Sequence, residues 1–102
     1  MIWRVVDSPE AQAQLGQLYR DIAADRSPET AASYTGAIVD YCESLRTIPY
    51  RGTMRDDVRP GLRITNYRKR AVIAFIADEG IVSILGVFYG GQDYEAVLRD
   101  EE

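Results

Sequence analysis

The chain has no histidine and a single cysteine. Without histidine it lacks the side chain that titrates closest to neutral pH, so any proton transfer would fall to carboxylates, Lys, Tyr or Arg. One cysteine rules out an internal disulfide and, with no histidine beside it, leaves no ligand set for zinc; no metal and no cofactor are expected. Cys42 falls on the apolar stripe of a predicted helix and reads as a small buried hydrophobe. No apolar run approaches the roughly 18–20 residues that span a bilayer. The first ten residues, MIWRVVDSPE, lack the apolar core of a signal peptide. A cytoplasmic protein with no membrane partner is therefore expected. Low-complexity segments are missing too. A length of 102 residues implies one domain, 1–102, with a modest core and marginal stability unless a partner adds to it.

Lysine is scarce: Lys69 is the only one among 12 cations, and the rest are Arg. Arg is the better residue for bidentate pairing with carboxylate or phosphate and for stacking on rings. The net charge of −4 argues against a nucleic-acid binder, but its distribution is uneven. Residues 46–70 hold seven Arg and Lys69 against Asp56 and Asp57, a local +6. Residues 1–45 and 71–102 sum to −4 and −6. A basic band thus lies inside an acidic protein. Two roles are open for it: pairing with the chain's own surplus acids, or gripping an acidic partner.

Residues 2–6 read as a short strand. Ser8-Pro9-Glu10 has the form of a helix start, with a capping hydroxyl, Pro at the first helical position and an acid in the first turn. Ala11, Leu15, Leu18, Tyr19 and Ile22 follow at helical spacing, with an end near Ala24. Ser27-Pro28-Glu29 repeats the signal, and Ala31, Tyr34, Ile38, Cys42 and Leu45 mark the buried stripe of a second helix that ends near Arg46. The short link makes the two helices an antiparallel hairpin. Residues 49–61 read as loop. Strands are predicted over 62–67, 70–77 and 81–89, with turns at Asn66 to Lys69 and at Asp78-Glu79-Gly80. Gly90-Gly91 ends the sheet, and Asp93 opens a short helix reaching Arg99. The fold class is α+β: an N-terminal strand and a two-helix hairpin packed on a small, mostly antiparallel sheet. The last strand looks apolar on both faces. Simple alternation points Ile81, Leu85, Val87 and Tyr89 one way and Val82, Ile84 and Phe88 the other. The helices cover one face; the other needs the N-terminal strand and tail, or a partner.

These pieces, in this order over nearly the whole chain, resemble the ParE branch of the RelE/ParE toxins of bacterial type II toxin–antitoxin modules. The resemblance is carried by Ser8-Pro9-Glu10-Ala11, Ser27-Pro28-Glu29, Pro49-Tyr50-Arg51-Gly52-Thr53 and Arg59-Pro60-Gly61-Leu62-Arg63. The Tyr67-Arg68-Lys69-Arg70 run and Ile84-Leu85-Gly86-Val87-Phe88-Tyr89-Gly90-Gly91 complete it. It implies the same small-sheet fold and a cognate antitoxin whose C-terminal segment wraps the toxin in a hetero-oligomer. It also implies one of two attacks: RelE-like members cut mRNA in the ribosomal A site, whereas characterised ParE-like members poison DNA gyrase.

Set against these residues, the nuclease reading is the weaker. Cleavage by a 2′-oxygen needs a base, an acid and cations on the phosphorus. Arg70 matches the Arg that RelE-like nucleases carry at that position and would stabilise charge. After the last strand, where such a nuclease carries a basic residue or His, this chain has Gly90-Gly91. No catalytic residue is assigned, with Arg70 the candidate if RNA is cut. Arg59, Arg63, Arg68, Lys69, Arg70 and Tyr89 are the candidate antitoxin contacts. Tyr94, presented by a segment free to swing at Gly90-Gly91, is the candidate target contact. The acidic end Asp100-Glu101-Glu102 is expected to be solvated and to repel phosphate, which argues against direct sequence-specific DNA binding.

Overall fold

The computed structural model describes residues 2–100, with only the backbone of Asp100, so the acidic end expected to be solvated lies largely outside the described residues. β1 (Arg4–Asp7) leads into α1 (Pro9–Asp25) and α2 (Pro28–Glu43), followed by a 3₁₀ turn at Ser44–Arg46. β2 (Thr53–Met54), β3 (Leu62–Tyr67), β4 (Ala71–Asp78) and β5 (Ile81–Tyr89) complete the sheet, and α3 (Tyr94–Asp100) closes the chain. The strand order is β1-β5-β4-β3-β2. Only the β1–β5 pair is parallel. Between those two strands the chain passes through α1 and α2 and then through β2, β3 and β4.

Both predicted helix starts form as expected. The Ser8 hydroxyl accepts the Ala11 N–H at 3.0 Å, and the Ser27 hydroxyl accepts that of Thr30 at 3.1 Å. Ser8 also stitches α1 to the sheet, its hydroxyl donating to the Leu85 carbonyl at 3.1 Å and its N–H to Ile84 at 2.9 Å. The turn at Glu79-Gly80 has both residues at positive φ, 51° and 79°, the hairpin geometry whose twist suits the flanking strands.

Two expectations are corrected. The segment 49–61 is not all loop, because Thr53 and Met54 pair with Ile64 and Arg63 as a short edge strand. Two residues carry too little alternation to be legible as a strand. The face assignment of β5 also changes. Ala74 pairs with Gly86 but Phe75 pairs with Ile84, so Leu85 is an extra residue, a β-bulge. The bulge resets the alternation midway. Val82, Ile84, Val87 and Tyr89 therefore share the helix side, while Leu85 and Phe88 share the other.

The main core lies between the helices and the sheet. Ile38, Leu45, Ile73, Phe75, Val82 and Ile84 are fully buried there, each side chain stabilising by about 1.5–3 kcal/mol relative to exposure. The second apolar face of the sheet is covered internally. Leu98 and Tyr94 of α3, with Val58 of the loop between β2 and β3, pack on Leu62, Ala74 and Phe88, and Phe88 is left 3% exposed. A partner is not needed to bury that face.

Candidate interaction cleft

The basic turn forms where β3 and β4 meet. Tyr67 pairs with Ala71, closing Arg68, Lys69 and Arg70 into a three-residue loop. Arg68 sits at φ 57°, a left-handed conformation that costs a non-glycine residue roughly 1–2 kcal/mol. Its guanidinium lies 5.3 Å from the centre of the Tyr67 ring. The Arg70 carbonyl accepts the Gly90 N–H at 3.0 Å, tying the turn to the end of β5. Gly90 and Gly91 follow at φ 68° and 85°, values that L side chains rarely adopt. They turn the chain sharply off the sheet, and the Gln92 side-chain carbonyl folds back to accept the Tyr89 N–H at 2.8 Å.

Tyr34 of α2 stands behind this turn. Its ring meets Tyr89 edge-on at 5.6 Å and Tyr67 at 6.3 Å. Its hydroxyl is inaccessible to solvent and finds no hydrogen-bond partner among the described residues. Burial raises the pKa of this phenol above its usual 10.0, reinforced by Tyr89 and Tyr67 and opposed by Arg70 and Arg68. A raised pKa makes Tyr34 a poorer general base.

A chain of open clefts runs from this point along α1. One of about 570 Å³ is lined by Tyr34, Arg68, Lys69 and Arg70. Next, Arg70, Tyr89, Arg26 and Ile22 line two more, of about 250 and 370 Å³. A last one, of about 390 Å³, lies between α1 and the end of β5, flanked by Gln14, Leu18, Val87 and Gln92. Asp21 and Asp25 stand on the α1 wall. The result is a trough of mixed apolar and polar lining, with carboxylates on the α1 wall and cations at the turn.

The structure brings together Arg68, Lys69, Arg70, Tyr89, Gly90 and Gly91, and places the other candidates elsewhere. Arg63 lies over the Tyr50 ring at 5.2 Å and donates to the Tyr50 carbonyl at 2.8 Å, beside the edge strand β2. Arg59 donates to the Leu98 carbonyl at 2.8 Å and so anchors α3. Tyr94 is not on a free segment. Its hydroxyl bonds to Arg55, whose guanidinium lies 5.8 Å from its ring centre, and its ring packs on Phe88. Arg55 also pairs with Asp57 at 2.8 Å and with Glu95 at 2.9 Å. These partners lower the pKa of Asp57 to about 2, chiefly through the Arg55 hydrogen bond, and raise that of Arg55. Apolar burial and this ion-pair network dock α3 and hold Tyr94 against the sheet.

Of the two roles open to the basic band, the structure shows the first. Arg55 pairs with the chain's own acids. Among the described residues, Arg63, Arg68, Lys69 and Arg70 make no ion pair within 4.0 Å. Sequence reasoning missed Tyr34 and Arg26. Tyr34 sits on the helical stripe at apolar spacing and reads as core, and Arg26, which closes α1, carries no signal along the chain. The available hint was a third tyrosine on elements converging with Tyr67 and Tyr89.

The architecture is that of a small α+β toxin fold. It is similar to the chain of the chromosomal ParDE toxin–antitoxin system from P. aeruginosa, with a TM-score of 0.76 and 20% identity over 86% of this chain and 96% of that one. It is also similar to a chain of the RelBE2 toxin–antitoxin complex from Mycobacterium tuberculosis, with a TM-score of 0.62 and 18% identity over 88% of this chain and 100% of that one. No curated protein sequence matches. The profile of the family described as ParE toxin of type II toxin-antitoxin system, parDE, matches residues 5–94. The chain belongs to the ParE toxin family. Among the described residues, no helix is long and apolar enough to cross a membrane.

Proposed function

We propose that this toxin acts in the cytoplasm by binding DNA gyrase and is neutralised by a cognate antitoxin that occupies the cleft around Arg70 and Tyr34. Membership of the ParE family supports the gyrase target. The carrying structural observation is the chemistry of the cleft. It offers three tyrosines, Arg68, Lys69 and Arg70, an array suited to holding carboxylates and apolar side chains. It lacks a convincing acid–base pair. Burial moves the Tyr34 phenol away from neutrality, which disfavours it as a proton acceptor at pH 7.

The test is a supercoiling and DNA-cleavage assay with purified toxin and gyrase, with and without the product of the adjacent reading frame. Inhibition or trapped cleaved DNA that the second protein relieves is the expected result. Undisturbed supercoiling at excess toxin removes the gyrase target.

The second reading is a ribosome-dependent ribonuclease of the RelE type. The specific observation in its favour is that Arg70 lies beside Arg68, Lys69 and the tyrosine rings, a surface that fits a phosphate and a base. It requires mRNA cleavage in a translating extract that Arg70→Ala abolishes. Intact message excludes it.

A further inference from the structure

A second surface lies on the helix side of β2 and β3. Leu62 and Ile64 turn to the opposite face, toward the cluster under α3. Alternation therefore puts Arg63, Thr65 and Tyr67 on the helix side, where Thr65 shares a hydrogen bond with Tyr41 of α2 at 2.8 Å. Met54 pairs with Arg63 across the two strands and stands beside it on that face. Tyr50, just ahead of β2, meets Trp3 edge-on at 5.5 Å and carries the Arg63 guanidinium over its other contact surface at 5.2 Å. Arg51 repeats the arrangement. Its guanidinium lies 5.5 Å from the centre of the Tyr41 ring and donates to the Tyr41 hydroxyl at 3.2 Å.

Two arginines are thus each held against a tyrosine ring. Such stacking fixes the guanidinium plane and leaves its edge to a carboxylate, with little side-chain freedom left to lose on binding. Arg51 and Arg63 donate to a phenol and to a carbonyl, neither of which carries charge. Among the described residues, neither arginine makes an ion pair within 4.0 Å, although the chain as a whole has a net charge of −4. Their charge is left for a partner. Tyr50 beside them is 60% exposed and Met54 is 45% exposed. Exposed Tyr, Met and Arg without Lys is the composition found at the centre of protein–protein interfaces. A surface for a phosphate backbone gathers cations without such apolar neighbours, and the net negative charge opposes a polyanion.

We propose that the face built on Tyr50, Arg51, Met54 and Arg63 is where the toxin grips its protein target. It takes a segment whose carboxylates pair with the two guanidinium groups and whose apolar side chains cover Tyr50 and Met54. The proposal rests on the gyrase reading above and names the surface through which that target is held. Arg63 and Tyr67 stand about 13 Å apart along β3, so target and antitoxin are held toward opposite ends of the strand.

The test uses the full chain and purified gyrase. Gyrase is expected to slow peroxide oxidation of Met54 in the parent chain by at least about fivefold, read by mass spectrometry. The Arg51→Ala/Arg63→Ala variant is expected to bind gyrase at least about tenfold more weakly. Its affinity for the product of the adjacent reading frame should stay within about twofold, since distant sites act independently. Unchanged Met54 oxidation in the gyrase complex overturns the assignment of this face and leaves gyrase as the target. So does a folded double variant that binds gyrase as tightly as the parent chain. Equal loss of both affinities overturns the separation of the two surfaces. Binding of the parent chain to bare duplex DNA, lost in the double variant, overturns the protein partner and makes the face a phosphate contact. If the double variant does not fold, the Met54 measurement on the parent chain decides alone. A parent chain that does not bind gyrase at all overturns the gyrase reading and this proposal with it.

Discussion

Replacing Tyr34 with Phe removes one oxygen, and the sign of its effect is informative. A buried tyrosine hydroxyl usually has a partner, and deleting it costs about 1 kcal/mol. The Tyr34 hydroxyl is inaccessible to solvent and has no partner among the described residues. Leaving such a group unpaired costs about 1–3 kcal/mol, so deletion should relieve that cost. The ring stays, and with it the edge contacts at 5.6 and 6.3 Å. Tyr34→Phe should therefore stabilise the free toxin by about 1 kcal/mol, which raises Tm by about 4–8 °C in a domain of this size. Urea titration at pH 7 gives the free energy and a thermal scan gives Tm. The pH dependence supplies a second arm. A phenol whose folded pKa is raised contributes stability that is complete below its unfolded value of 10.0 and is lost as pH rises beyond it. The Phe variant lacks that loss, so its advantage should widen above pH 10.0. A fall in Tm would refute the reasoning, because it would mean the hydroxyl is satisfied in the free protein.

Three further substitutions probe the frame around the cleft. Gly52 has φ +87°, and a Cβ there would lie 2.1 Å from the Ile64 carbonyl oxygen, which is backbone and cannot step aside. Gly52→Ala should cost about 2–3 kcal/mol and detach β2, and a red shift in Trp3 emission would report the loss of its edge contact with Tyr50. Leu98 is 2% exposed beneath α3, so Leu98→Ala should cost about 2–4 kcal/mol by denaturant titration and expose the Phe88 face to a hydrophobic dye. The Cys42 thiol is raised to about 12, first by burial and then by Asp7 and Glu43. It should resist iodoacetamide at pH 8 until the protein unfolds. The stability that its protonated form contributes is complete below 9.0 and lost as pH approaches about 12, so Cys42→Ala should flatten that alkaline decline.

Local signals carried much of the architecture. Ser8 and Ser27 followed by Pro and Glu start helices because the hydroxyl, the missing N–H and the charge all act within one turn. The stripe of Ala11 and Leu18 on α1 and that of Ile38 and Cys42 on α2 are legible because a helix repeats every 3.6 residues. Asp78-Glu79-Gly80 is legible as a hairpin turn because Gly80 takes its positive φ without strain. The basic band and the missing histidine are likewise matters of composition.

What lay beyond the chain's linear order was set by packing. The bulge at Leu85 moves Val87 and Tyr89 onto the helix side, and a strand's alternation shows no insertion until its partner strand is in register. The cations from Arg55 to Arg70 look alike along the chain. Packing of Tyr94 and Leu98 on Phe88 brings α3 to Arg55 and Arg59, which bond to it, and the turn between β3 and β4 leaves Arg68 and Arg70 beside Tyr34. Gln14 and Val87 are 73 residues apart, yet their hydrogen bond ties α1 to β5. Short-range chemistry decides turns, caps and periods; which side chains share a cleft depends on contacts between residues far apart in the chain, and those exist only once the sheet has closed on its helices.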